Sequence, residues 1–189
     1  MLNEIFQVIQ RMDFDILYVI QSLRCEVLDW LVLAITKVAG DYGHLWIALG
    51  LVLLIFKKTR ACGITVLASY ALVFLTGQLL LKDLIARPRP CHLNETVQLI
   101  VSRPSSYSCP STHSAWAFAA VASVFMYKKR WGLLVLIPAL FIACSRLYLF
   151  VHFPTDVLLG ALLGILCGVI AGCVVKAVMK KTAGQKKAA

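Results

Sequence analysis

From Val157 to Val175 the chain reads VLLGALLGILCGVIAGCVV, with no charged side chain. A bilayer core is about 30 Å thick and takes about 20 helical residues to cross. This stretch is long enough unaided. Working outward, Leu133–Ser145 and Ile64–Leu81 are equally free of charge and reach spanning length once their flanks are included. A chain of 189 residues has too little interior to hide several such segments in a soluble core. A composition of 60% hydrophobic and 15% charged residues excludes a disordered chain and an ordinary soluble domain as well. The fold class is therefore all-α and integral to a membrane.

Five transmembrane helices are expected, at about His44–Phe56, Cys62–Leu81, His113–Tyr127, Trp131–Ser145 and Thr155–Val175. Ser111-Thr112 is a cap-like helix start, and Pro154 suits a first helical turn. Upstream, Ile5, Val8, Ile9, Met12, Ile16, Val19 and Ile20 recur at spacings of three and four, with Glu4, Gln7, Arg11, Asp15 and Arg24 between them. That pattern predicts an amphipathic helix in the plane of the interface. Val27–Ala39 is apolar but rises only about 20 Å as a helix, and it carries Asp29. It reads as a re-entrant or interfacial helix that breaks at Gly40-Asp41-Tyr42-Gly43; counted as a span, it would make six. The chain reads as one domain over 1–189. Amphipathic and short helices occupy 1–40, a helical core 41–178 and a basic tail 179–189, whose end from Gly184 is expected to fray. Met1–Gln10 lack the early basic residue of a signal peptide, so the first helix is expected to be retained.

Charge orients the spans. Lys57, Lys58 and Arg60, then Lys128, Lys129 and Arg130, then Lys176, Lys180, Lys181, Lys186 and Lys187 form three basic clusters on one side. The positive-inside rule puts that side, and the C-terminus, in the cytoplasm. The net charge of +10 thus marks topology and contact with anionic membrane lipids, and calls for no nucleic acid. The glycines at 160, 164, 168 and 172 share one helix face, where small residues let a second helix approach closely.

The two loops opposite carry polar side chains of an unusual kind. Lys82-Asp83-Leu84-Ile85-Ala86-Arg87-Pro88-Arg89-Pro90 leaves the second span. Cys109-Pro110-Ser111-Thr112-His113-Ser114 opens the third. Ser145-Arg146 through His152 to Asp156 joins the fourth to the fifth. Lys82, Arg89 and Arg146 are cations that call for an anion in such a setting, and guanidinium groups match phosphate oxygens. The helix start at Ser111-Thr112 adds backbone N–H groups that attract anions. Together these describe a phosphate cradle. Asp156 can fix the tautomer of His152 and leave its other nitrogen as a nucleophile. His113 can then protonate the leaving oxygen. His113, His152 and Asp156 could also ligate zinc, but three neighbouring cations make that electrostatically poor, so no metal is expected. Arg87 and Arg103 read as topology or snorkelling residues, and His44 and His92 as interfacial anchors.

The three groups resemble the membrane branch of the type 2 phosphatidic acid phosphatase (PAP2) superfamily. They match its pattern as Lys82-x6-Arg89-Pro90, Pro110-Ser111-Thr112-His113 and Ser145-Arg146-x5-His152-x3-Asp156. One position departs: Thr112 stands where glycine is commonest, which bears on head-group shape rather than on the reaction. The resemblance implies that Lys82, Arg89, Ser111, Thr112 and Arg146 bind phosphate. It implies His113 as general acid, His152 as nucleophile, Asp156 as its orienting partner, and no cofactor. Among small bacterial members the layout looks like the undecaprenyl diphosphate phosphatases, at the cytoplasmic membrane with the site facing outward. Other polyprenyl or glycerolipid phosphates remain open, phosphatidylglycerophosphate and phosphatidic acid foremost. A non-catalytic lipid-phosphate binding or transport protein is the alternative outside enzymes.

Cys62, Cys144, Cys167 and Cys173 lie in apolar spans. Cys91 and Cys109 lie in the outward loop, where a disulfide between them would close the segment from Arg89 to the Pro110 turn. Within that loop, Val97–Val101 is expected to form a short helix or strand resting on the membrane.

Overall fold

The computed structural model describes residues 2–188, and every regular element among them is helical. The chain begins with α1 (Leu2–Ser22) and α2 (Glu26–Ala39), turns into α3 (His44–Ile55) and continues through α4 (Arg60–Val73). α4 passes directly into a π-helical stretch, Phe74–Leu81, and then into α5 (Lys82–Ile85). α6 (Pro90–Leu93) is a single turn. After an irregular segment come α7 (Thr112–Phe125), α8 (Lys129–Tyr148) and α9 (Pro154–Ala188).

By length and apolar composition, Arg60–Leu93, Lys129–Tyr148 and Pro154–Thr182 are each able to cross a membrane. α2 and α3 meet at a bend of 50° and qualify as a fourth crossing when taken together. The five separate crossings expected from the sequence become three or four by this measure. Length is the reason: α3 has 12 residues and α7 has 14, which rise about 18 and 21 Å. The break between α2 and α3 falls at the expected glycines, Gly40 and Gly43, which have φ of 71° and 67°. That left-handed region is open to glycine at little cost.

Two local expectations give way. The tail from Gly184 is helical, as α9 continues to Ala188. Val97–Val101 forms neither helix nor strand. Its side chains are used as plugs instead. Val97 and Leu99 pack on Leu17, Cys91, Phe150 and Phe153, while Ile100 and Val101 pack on Val32, Tyr148, Leu149 and Val151.

α1 presents its apolar stripe away from the protein: Ile5, Val8, Met12, Ile16 and Val19 are all exposed. Such a face suits lipid. Its opposite face carries the buried Asp13 and Leu17, with Phe14 partly buried between them. Arg24 pairs with Asp29 at 3.2 Å to turn α1 into α2, and the Tyr148 hydroxyl donates to Asp29 at 2.7 Å, tying that corner to α8.

α7 is the centre of the bundle, packed by α4, α8 and α9. Its small residues Ala115, Ala117, Ala119 and Ala120 are all buried. The glycine stripe of α9 lies against it, within one chain. A Cβ at Gly160 would strike the Ser111 carbonyl oxygen, and one at Gly164 the Ala115 carbonyl oxygen. At Gly168 it would meet the Ala119 oxygen and Ala122 Cβ at 2.7 Å. Backbone cannot retreat as a flexible side chain can. Gly164→Val is therefore expected to cost about 1–3 kcal/mol of overpacking, read as a lowered unfolding temperature of the detergent-solubilised protein.

Candidate active site

The three polar groups of the sequence meet in one cavity of about 670 Å³, whose wall includes Lys82, Arg89, Thr112, His113, Arg146 and His152. Each arrives on a different piece of backbone. The π-helical stretch ends at Leu81, which brings Gln78 and Lys82 to the same wall. A π-turn changes the direction of every later side chain, and such turns recur at functional sites. Arg89 follows the left-handed Ala86, φ 49°, and precedes the one-turn α6. Thr112 and His113 open α7, behind a cis bond between Cys109 and Pro110. Arg146 comes from the last turn of α8.

The cations of this wall are buried, and their hydrogen bonds go to neutral oxygens or to an imidazole. Lys82 Nζ donates to Ser106 Oγ at 3.3 Å. Arg89 donates to the Ser106 carbonyl at 2.7 Å, to Ser106 Oγ at 3.0 Å and to the Val151 carbonyl at 2.8 Å. Arg146 reaches Thr36 Oγ1 at 2.6 Å and Ser145 Oγ at 3.0 Å. Neutral acceptors orient a cation without cancelling its charge. Asp41 also lines the cavity, at its exposed side. This is a cavity built to take an anion.

The imidazoles have defined roles in the hydrogen bonding. Arg89 Nη1 lies 3.1 Å from His152 Nε2. A guanidinium only donates, so Nε2 accepts and Nδ1 carries the proton. Nδ1 is buried without a hydrogen-bond partner, and the nearest carboxylate oxygen, Asp156 Oδ2, is 3.8 Å away. That oxygen accepts from the Phe153 N–H at 2.9 Å and, in a very short bond, from the Ser108 hydroxyl. His113 Nε2 lies 3.2 Å from the Gly40 carbonyl. A carbonyl only accepts, so this nitrogen bears a proton and points it across the cavity wall.

Of the residues singled out from sequence, Ser111 and Asp156 do not face the cavity. Ser111 is fully buried, its hydroxyl 3.0 Å from that of Ser114, and its N–H bonds the Asp156 carbonyl at 3.0 Å. It joins the starts of α7 and α9. Asp156 stands behind His152. Thr112 Oγ1 donates to Gln78 Oε1 at 3.3 Å, so the departure from the family pattern is held by the π-helical stretch. The bridge expected between Cys91 and Cys109 is not formed; both are buried thiols. Cys91 packs among Leu17, Phe150 and Phe153. Cys109 lies near Asp156, and burial together with that carboxylate pushes its thiol up to about 12.

Arg87 is not a snorkelling residue. It is 9% exposed, donates to Asp156 Oδ1 at 2.7 Å and pairs with Asp13 at 2.8 Å. Arg103 donates to the Cys91 and Glu95 carbonyls. Thr36, Gly40, Gln78, Ser106 and Ser108 were missed as well. Ser106 and Ser108 sit in a polar loop without periodicity, and Thr36 lies inside an apolar helix, so neither position carried a signal.

Burial pushes the His152 imidazole down to about 3, outweighing the Asp156 carboxylate, which pulls the other way. The consequence has a definite sign. An unfolded histidine takes up its proton near 6.5, so stability is complete above that pH and falls as acid is added toward 3. One proton gives a slope of up to about 1.4 kcal/mol per pH unit. The unfolding temperature of the wild type should drop more steeply between pH 6.5 and 4.5 than that of His152→Asn.

The cavity residues from Gln78 to His152 fall inside a region shared with known proteins. The sequence model of the PAP2 superfamily matches residues 62–180. An undecaprenyl-diphosphatase of Sulfolobus acidocaldarius is 31% identical over 140 residues, 74% of this chain, and the match spans 66% of that relative's length. That is just under two thirds. The phosphatidylglycerolphosphate phosphatase structure of PAP2 type from Bacillus subtilis superposes with a TM-score of 0.72 at 27% identity, covering 92% of this chain and 87% of that one. The LpxE structure from Aquifex aeolicus superposes with a TM-score of 0.67 at 29% identity, covering 84% and 93%. Because the matched region takes in most of the chain and every residue from Lys82 to Asp156, the protein belongs to the PAP2 superfamily.

Proposed function

We propose that this chain is a metal-independent lipid phosphatase that hydrolyses undecaprenyl diphosphate to undecaprenyl phosphate and phosphate. The observation that carries the reading is the convergence of Lys82, Arg89, Arg146 and two imidazoles on one cavity. Three cations oriented by neutral acceptors favour a multiply charged anion, and they stabilise charge that builds on a transferring phosphoryl group. The relative from Sulfolobus acidocaldarius, an undecaprenyl-diphosphatase, supports a polyprenyl substrate. The phosphatidylglycerolphosphate phosphatase from Bacillus subtilis makes a glycerolipid phosphate the second reading.

In the proposed reaction, phosphate oxygens draw the Arg89 guanidinium and release the lone pair of His152 Nε2. That nitrogen attacks phosphorus. The bond to the leaving oxygen breaks with its electron pair, and the oxygen takes the Nε2 proton of His113, which acts as an imidazolium beside the bound phosphate and is left as the neutral imidazole. The phosphohistidine is then attacked by water, whose proton returns to His113. The phosphorus–nitrogen pair goes back to His152 as phosphate departs. Asp156 holds the Nδ1 proton in line and offsets the charge that His152 gains on phosphorylation.

The reading also places five helices in the bilayer, with α3 and α7 crossing a thinner section by recruiting their flanking turns. The three basic clusters face the cytoplasm beside anionic lipid, and the cavity opens to the outer leaflet of a bacterial cytoplasmic membrane. An amphiphile then keeps its tail in lipid while its head group enters the cavity.

Phosphate release from undecaprenyl diphosphate, phosphatidylglycerophosphate, phosphatidic acid and lipid A, with and without EDTA, tests the assignment. Undecaprenyl diphosphate should be turned over fastest, unaffected by EDTA, and His152→Ala should lower kcat by more than about 10³-fold. Wild-type turnover by His152→Ala, or a strict metal requirement, would overturn the mechanism. A preference for phosphatidylglycerophosphate would replace the substrate.

A further inference from the structure

The carboxylate behind His152 is held by a second, fully internal network that reaches the N-terminal helix. Arg87 is its hub. Its Nη1 donates to Asp156 Oδ1 and to Thr155 Oγ1, each at 2.7 Å, and its Nη2 donates to Asp13 Oδ2 at 2.8 Å. The guanidinium lies over the Phe153 ring, 4.0 Å from its centroid. Asp13, on α1, takes the Thr155 N–H at 3.1 Å and the Thr155 hydroxyl at 2.5 Å. Asp13 and Asp156 are 2% and 0% exposed. Neither Arg87 nor Asp13 lines the cavity.

We propose that Arg87 and Asp13 are positioning residues for the phosphoryl transfer, setting Asp156 behind His152 and making catalysis depend on the docking of α1. The proposal rests on the reading of His152 as the nucleophile. Arg87 takes Oδ1 of Asp156, which leaves Oδ2 as the oxygen directed at His152 Nδ1. Asp13 takes the other arm of Arg87 and fixes its fork. It also satisfies the first turn of α9, whose N–H groups have no partner within the helix. Two buried carboxylates share one guanidinium, so removing that cation leaves both uncompensated. Asp13 lies outside the region that matches the PAP2 superfamily, at residues 62–180. The dyad therefore joins a helix outside that matched region to residues within it.

A steady-state series on the full chain in detergent separates positioning from mere support. Arg87→Gln is expected to lower kcat by about 10²-fold, the size of effect that a misplacement of about 1 Å produces, with KM unchanged. Asp13→Asn should lose about tenfold. Arg87→Lys, which restores the charge without the fork, should recover part of the loss. Because the two side chains act through one contact, Arg87→Gln with Asp13→Asn should cost no more than Arg87→Gln alone. Unfolding temperatures are measured on the same samples. Wild-type kcat in Arg87→Gln would overturn the proposal. So would losses of kcat that follow losses of folded protein in all these variants, or a rise in KM at constant kcat. His152→Ala serves as the reference: if it turns over normally, the nucleophile assignment itself fails, whatever Arg87 does.

Discussion

Everything in this structure is arranged around the cost of gathering like charges out of bulk water. Lys82, Arg89 and Arg146 are buried at one end of a small helical bundle, where charge is weakly screened. They are aimed by hydroxyls, carbonyls and an imidazole: Ser106, Val151, Thr36, Ser145 and His152. Carboxylates would have lowered the cost further but would also have competed with a phosphate. Asp156, the carboxylate behind His152, is turned to Arg87 and to the N–H and hydroxyl groups around it. The site keeps its positive potential in front and its negative charge behind a histidine.

The bundle serves that separation. α7 carries His113 at its start and packs through alanines, while the glycines of α9 let the Ser111 and Asp156 backbones come within hydrogen-bond distance. Close approach of the two helix starts sets the position of both histidines, since His152 precedes α9 by only two residues. α2 adds what the outer parts lack. Thr36 steadies Arg146, and the carbonyl of Gly40, at the bend into α3, accepts a hydrogen bond from His113. The helices ahead of the matched region are therefore part of the cavity rather than an appendage to it.

Much of this was legible in the residues themselves. Long uncharged runs and cap-like signals placed the starts of the later helices to within a few positions, because a bilayer imposes length and composition directly. The spacing of Lys82, Arg89, Ser111, His113, Arg146, His152 and Asp156 identified the residues that the structure gathers around the cavity, with Ser111 and Asp156 in the layer behind it. What failed to show were interactions made by ordinary residues at unremarkable positions. Thr36 looks like a tolerated polar residue in an apolar helix, Asp13 like one more polar residue of an amphipathic helix, and Arg87 like a membrane anchor. Their roles depend on which way each helix rotates, and the periodicity of α1 marked its outward apolar stripe rather than the face that carries Asp13. The Cys91–Cys109 expectation failed similarly: membership of one loop does not by itself make a bridge, and both are free thiols.

The π-helical stretch from Phe74 to Leu81 has a consequence for how this protein tolerates change in chain length. A π-turn accommodates what amounts to one surplus residue within an otherwise regular helix. Losing a single residue between Phe74 and Leu81 would let the helix relax to the ordinary pitch with Lys82 kept on nearly the same side, whereas a loss within the regular turns of α4 would swing Lys82 by about 100° relative to Arg60. Point substitutions at lipid-facing positions such as Leu75 or Leu79 leave that register intact. Along this helix, then, the π-helical stretch is where a one-residue change in length is most readily absorbed, and α4 is where it is not.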